Sequence, residues 1–404
     1  MKLKHMVERG LLASASILLS IFIALSPVKA QTQPPPSNSV SAVAWSPDSS
    51  KLAVALFDYT IQIWDVETKQ VFTTLKGHTK WISSVGWSPD GNKLVSGSDD
   101  NAVRIWDAQN GQLLNTLEGH NETVFAVAWS PDGKKIASMG SEATRLRIWD
   151  ADTGKFLAAY DVGNTTQLVW SPDGHQLAVP YSYSDIVGVL STTTFEMLAL
   201  LGIDHDSLGM AVVAWSADSN RLISGSRDGV VRIWDVASGK SIATFRGSDV
   251  KPQEREDRTA RSVAFSADGL KALSANADGT IRTWDIATGK TLATIQQPTL
   301  GTIFAASWSV YGNRLVLGGT GDGKAQSVTN SSLQIIVPFP SLEDLQATVK
   351  QCAATAVKSN LATLLDGKQL QQFVTAVKAL TSDQIPPACA ADLIAVAEAL
   401  QAKP

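Results

Sequence analysis

Residues Gly77 to Leu117 read GHTKWISSVGWSPDGNKLVSGSDDNAVRIWDAQNGQLLNTL, and the pattern of this stretch recurs along most of the chain. Four runs of alternating apolar residues within it are parted by turn-forming residues: Ser88-Pro89-Asp90-Gly91, Asp99-Asp100-Asn101 and Gln109-Asn110-Gly111. A period of two turns one face of each run toward a core, and the short polar turns bring the chain back beside itself. The stretch therefore predicts a four-stranded antiparallel meander. One such sheet is too small to bury its own faces, so the unit must recur.

Aromatic positions count the repeats. The aromatic residue of the first strand recurs as Trp45, Trp87, Trp129, Trp170, Trp215, Phe265 and Trp308, at intervals of 41 to 50 residues. A Trp-Asp pair in the third strand recurs at Trp64, Trp106, Trp149, Trp234 and Trp284, whereas Leu190 and Ile336 hold that place in the fourth and seventh units. Seven units thus run from Ser39 to Pro338.

The Gly77-His78 opening and the Trp106-Asp107 close resemble the WD-repeat family, in which each unit is one blade of a β-propeller. The resemblance implies an all-β fold over residues 39–338, a seven-bladed β-propeller of four-stranded antiparallel blades. It also implies a side-chain relay in each blade, here His78, Ser96, Asp100 and Trp106, that satisfies polar atoms buried between blades. At about 0.5 to 1.5 kcal/mol per hydrogen bond, such a relay fixes geometry more than it supplies stability. His120 and His205 repeat the histidine and Asp58, Asp228 and Asp278 the aspartate, but only the second unit carries every member. The seventh unit has no clear fourth strand, so closure is expected to be weak, either three-stranded or patched by Val28 to Gln33.

The flanks read differently. Lys2, Lys4 and Arg9 precede an apolar segment from Leu11 to Leu25, and Val28-Lys29-Ala30 offers a cleavage site, so residues 1–30 read as a secretory signal peptide. Its fifteen apolar or small residues fall short of the ~20 that span a bilayer, which favours cleavage over an anchor and leaves no membrane span afterwards. Residues 31–38 form a proline-rich linker. After Pro340 the apolar period becomes helical, and residues 341–404 predict a small C-terminal α-helical appendage. It holds both cysteines, Cys352 and Cys389; in an oxidising compartment these form one disulfide, the alternative being two buried thiols.

Composition narrows the function. The chain has 404 residues and a formal charge of −4, with no basic run longer than two residues, which excludes a nucleic-acid partner as the leading reading. No histidine pair has metal-ligand spacing, and Gly-x-Ser-x-Gly is absent. Gly239-Lys240-Ser241 and Gly289-Lys290-Thr291 fall in turns between strands rather than in phosphate loops. The Asp-x-x-Thr-Gly-Lys stretches at Asp150 and Asp285 resemble those of quinone-cofactor propellers, but the tryptophan such repeats need later is missing. No cofactor, metal or catalytic residue is assigned.

Tryptophan gives a positive lead. Eleven of twelve occupy the two architectural positions, and Trp81 is the exception. It lies on the face where the family commonly docks peptides and proteins. By register, Phe125, Arg261 and Phe304 four residues before the first-strand aromatics, and Phe57, Asp99 and Arg227 before the relay aspartate, share that rim. The charged insertion Ser248 to Arg258 decorates the same face. The resemblance implies a non-catalytic protein- or peptide-binding scaffold of an exported bacterial type, secreted, periplasmic or bound to the envelope, docking partners on the narrow face. The alternatives are an extracytoplasmic propeller hydrolase or lyase working at the central channel mouth, and an envelope structural protein that oligomerises through its helical tail. The mouth residues, Ser39, Trp81, Thr123, Asn164, Gly209, Thr259 and Thr302, include no carboxylate or imidazole. The ligand's identity, peptide or glycan, and the oligomeric state stay open.

Overall fold

The computed structural model describes residues 39–401 apart from 142–144, 163–164, 166, 182–183, 185, 203–208, 248–258, 267, 297–302, 310–313, 320–332, 337–348, 350–360, 362–364, 366–368 and 381–384. The signal segment, the linker, Asn164, His205, the 248–258 insertion, Thr302 and Cys352 lie outside the described residues.

Each repeat is an antiparallel meander whose strand order follows chain order. In the second repeat the strands are Ile82–Trp87, Lys93–Ser98, Val103–Asp107 and Leu113–Leu117. The second strand is buried on both faces between neighbouring sheets, as the burial of Leu94, Val95 and Ser96 records, and the fourth strand is largely exposed. First strands touch one another in turn around the ring, and Ile303–Trp308 returns to pack on Val40–Trp45. The first-strand indoles tie neighbours together. Trp87 Nε1 donates to Ala44 O at 3.1 Å, Trp215 Nε1 to Val169 O at 3.0 Å, and across the closure Trp45 Nε1 to Ser307 O at 3.0 Å.

The expectation of seven four-stranded blades is corrected. Six sheets have four strands, so the propeller has six complete blades, while the last sheet, Ile303–Trp308, Leu315–Gly319 and Leu333–Ile336, has three among the described residues. The segment after Ile336, Val337-Pro338-Phe339-Pro340, lies outside the described residues.

The bend between first and second strands is closed in the same way six times. Ser46, Ser88, Ser130, Ser171, Ser216 and Ser266 each donate to the aspartate two residues on, Asp48, Asp90, Asp132, Asp173, Asp218 and Asp268, at 2.5–2.6 Å. The same hydroxyl accepts the N–H that opens the second strand, as Ser88 Oγ does from Lys93 at 2.8 Å. Ser88→Ala removes both bonds and leaves the part-buried Lys93 amide without its partner; an expected loss of about 1–2 kcal/mol can be read from the urea midpoint.

Two helices of the appendage are described, α1 (Leu370–Lys378) and α2 (Pro387–Gln401). Phe373, Val377, Leu393 and Val396 meet in a core of their own, which also buries Cys389 completely. The expected partner of Cys389, Cys352, lies outside the described residues. No helix among the described residues is long and apolar enough to cross a membrane.

Candidate functional site

The relay residues of the second blade come together in one hydrogen-bonded chain. Trp106 Nε1 donates to Ser96 Oγ at 2.8 Å, Ser96 Oγ lies 2.7 Å from His78 Nε2, and His78 Nδ1 lies 2.9 Å from Asp100 Oδ2. One set of directions satisfies every atom: indole to hydroxyl, hydroxyl to Nε2, and Nδ1–H to carboxylate. Asp100 Oδ2 also accepts Thr79 N at 3.0 Å and Arg104 NH1 at 2.7 Å, and Arg104 NH1 touches His78 Nδ1 as well. Arg104 is a relay member that the sequence reading missed; its signal was its place four residues after Asp100, across the hairpin.

Burial pushes the His78 imidazole below its ordinary value, against the upward pull of the bond and charge of Asp100. For Asp100, burial alone would raise the carboxyl, but the bonds from His78, Thr79 N–H and Arg104 outweigh it and hold it far below the usual carboxylate range. A neutral imidazole locked between a hydroxyl and an ion-paired carboxylate is a strut. In the third blade His120, Ser138 and Trp149 repeat part of it, at 2.8 and 2.7 Å. Asp58, Asp228 and Asp278 each accept a backbone N–H two residues on, from Thr60, Val230 and Thr280, and so close their own turns.

The rim can be compared position by position, because one backbone bridge recurs. Phe57 N donates to Ser39 O, Asp99 N to Trp81 O, Ser141 N to Thr123 O, Arg227 N to Gly209 O, and Ala277 N to Thr259 O, all at 2.8–3.0 Å. Five blades therefore present equivalent pairs at the same position of the blade. Only the second pair, Trp81 with Asp99, sets an exposed aromatic beside a carboxylate. The Trp81 ring packs on Phe57 from the first blade, with centroids 4.3 Å apart and planes at 46°. Asp99 Oδ1 accepts Ser83 Oγ at 3.2 Å. Trp81 is 42% exposed, whereas the other eleven tryptophans are buried.

The remaining candidates are dispersed. Phe125 packs against the core shared by the third and fourth repeats, Arg261 is half-buried, and Arg227 is exposed on the fifth blade. The backbone of Phe304 lies in Ile303–Trp308, and its side chain is outside the described residues. The structure thus brings together Trp81, Phe57 and Asp99.

Among the described residues no cluster of His, Cys, Asp or Glu could hold a metal ion. Asp150 and Asp285 each accept the N–H and hydroxyl of the threonine three residues on, which makes these stretches turn caps. A cleft of about 330 Å³ collects Asp132, Asp173, His175 and Lys135, away from the channel mouth. Its two carboxylates accept the Ser130 and Ser171 hydroxyls within the turns.

A family model described as the first β-propeller of IFT122 matches residues 39–200, and one described as WD domain, G-beta repeat, matches 203–235 and 239–285. The chain is also similar to WD repeat-containing protein 1 of Xenopus tropicalis, with 39% identity over 88 residues, covering 21% of this chain and 14% of the relative. The protein of that name from Gallus gallus is 34% identical over 86 residues, covering 21% and 14%, and that from Rattus norvegicus 31% over 104 residues, covering 24% and 17%. Each match thus spans less than a fifth of the relative's length. These relatives are vertebrate proteins, so the exported bacterial type expected from the sequence gains no support from them.

Proposed function

The chain is a WD-repeat β-propeller protein, and we propose that it works as a non-catalytic scaffold that docks a protein or peptide on the narrow face, with the Trp81–Phe57 pair as the anchor. One observation carries this reading: among twelve tryptophans, Trp81 alone is exposed, at 42%, and it stands on the rim beside a carboxylate. A large aromatic half in water contributes little to the fold and much to an interface.

Trp81→Ala should therefore cost no more than about 1.5 kcal/mol of stability, the worth of its contact with Phe57, while capture of the partner is lost. The check is a pull-down from the source cell with the chain from Gln31 and its Trp81→Ala variant side by side, with urea midpoints for both. A protein retained by the first and lost by the folded second supports the reading. Equal capture by both moves the site elsewhere, and a large drop in stability makes Trp81 structural.

Export is the finer part of the proposal. It rests on the basic head, apolar segment and small-residue site of residues 1–30, and a Cys352–Cys389 bridge belongs to the same reading. N-terminal sequencing of the protein from each cell fraction, with thiol titration of the unreduced chain in denaturant, tests both. An intact Met1 or two titratable thiols would remove that part.

A further inference from the structure

The last repeat departs from its six predecessors at one turn. Where they read Ser-x-Asp, it reads Ser309-Val310-Tyr311, so its own turn supplies no carboxylate two residues on. A carboxylate is nevertheless bonded to that serine. Ser309 Oγ donates to Asp392 Oδ2 at 2.8 Å, from helix α2 of the appendage, 83 residues away in sequence. Arg314 N donates to Ser309 Oγ at 3.1 Å, as Lys93 N does to Ser88 Oγ, so the serine keeps its bond to the N–H five residues on.

Arg314 carries the link to the first blade. Its Nε donates to Asp392 Oδ1 at 2.6 Å, its NH2 to Ser49 O at 3.0 Å, and its guanidinium lies 4.6 Å from the centre of the Trp45 ring. Arg221 shows what this position does between two complete blades: it lies 5.2 Å from the Phe265 ring centre and donates to Gly269 O at 3.1 Å. Ser49 and Gly269 occupy the same turn position. At the closure the contact between blades is thus repeated, and the helix adds a carboxylate. Asp392 is fully buried and Arg314 is 4% exposed, so the pair holds only if both charges are matched.

We propose that the helical appendage is the clasp of the ring: Asp392 replaces the turn carboxylate that the seventh repeat lacks and, through Arg314, fastens that repeat to the first blade. The appendage is then part of the propeller's closure, and side chains from α2 help to hold the last sheet against the first.

Hydrogen exchange on the full chain tests this. In Asp392→Ala, amides of Val40–Trp45, Ile303–Trp308 and Leu315–Gly319 should exchange at least about tenfold faster, while the second blade keeps its protection. Asp392→Asn, which preserves size and removes the charge, should act in the same direction and serves if the alanine variant fails to fold. Adding Tyr311→Asp to either variant returns a carboxylate to the usual turn position and should restore protection at the seam. Faster exchange confined to Leu370–Gln401, or no recovery with Tyr311→Asp, would overturn the proposal.

Discussion

Asp100→Ala is expected to destabilise the protein by about 3 kcal/mol, because it strips the partner from a part-buried cation and a buried imidazole at once. Asp100 takes His78, Thr79 N–H and Arg104 on one oxygen and Ala102 N–H at 3.1 Å on the other. Alanine leaves the buried His78 Nδ1 and the part-buried Arg104 and Ala102 N–H without that acceptor. The variant should also change the pH profile, and the sign follows from the two shifts. His78 and Asp100 are both held below their ordinary values, so each binds fewer protons folded than unfolded. Their contribution is complete at neutral pH. It declines as pH falls below about 6.5, where the unfolded histidine takes a proton, and further below about 4, where the unfolded aspartate does. Urea midpoints at roughly pH 7, 5 and 3.5 should fall steadily for the wild type; Asp100→Ala, which loses the upward pull on His78 together with the carboxylate's own contribution, should fall at least as much from pH 7 to 5 and less below about pH 4. Parallel profiles would show that the relay does not set the acid limit.

The relay was open to reading from spacing because its four members sit at fixed places in a single repeat. Arg104 was only partly so: it stands four residues after Asp100, but its approach to Asp100 and His78 depends on which face of the third strand turns inward. The stack of Trp81 on Phe57 joins two successive repeats and is fixed only when the blades are set side by side. Periodicity predicted the strands well wherever apolar and polar residues alternate, and it flagged the weak final repeat. It could not fix that repeat's strand count, because its last strands carry the pattern only weakly. Asp392 was the least legible of all. On helix α2 it reads as an ordinary polar residue, and only the missing aspartate at Tyr311, with the docked helix, gives it a task.

Gly225→Val should cost about 3 kcal/mol, from overpacking at a blade-to-blade contact. Gly225 pairs with Val212 across its own sheet and faces the first strand of the next blade. A Cβ placed there would lie 2.6 Å from Ala260 Cβ, 3.0 Å from Val263 Cγ1 and 3.2 Å from Val212 Cγ2. Ala260 has no rotamer to change, so relief must come from separating the two backbones, which loosens the packing of two whole sheets. The equivalent second-strand positions show how general the constraint is. They hold Ala55, Gly97, Ala275 and Gly318, and at Gly97 and Gly318 an added Cβ would come within 2.8 and 2.5 Å of Val124 and Val40. Met139 and Pro180 are the exceptions, and Met139 faces the fourth repeat, whose first strand is only Val169–Trp170. A long, flexible side chain is accommodated where the neighbouring strand is short. Denaturant midpoints should therefore place Gly225→Val well below Met139→Ala once the latter's lost methyl and methylene burial is allowed for, with Gly225→Ala between the wild type and Gly225→Val. A neutral Gly225→Val would mean that neighbouring blades slide apart at little cost, and that the ring is held by its edge contacts rather than by close backbone approach.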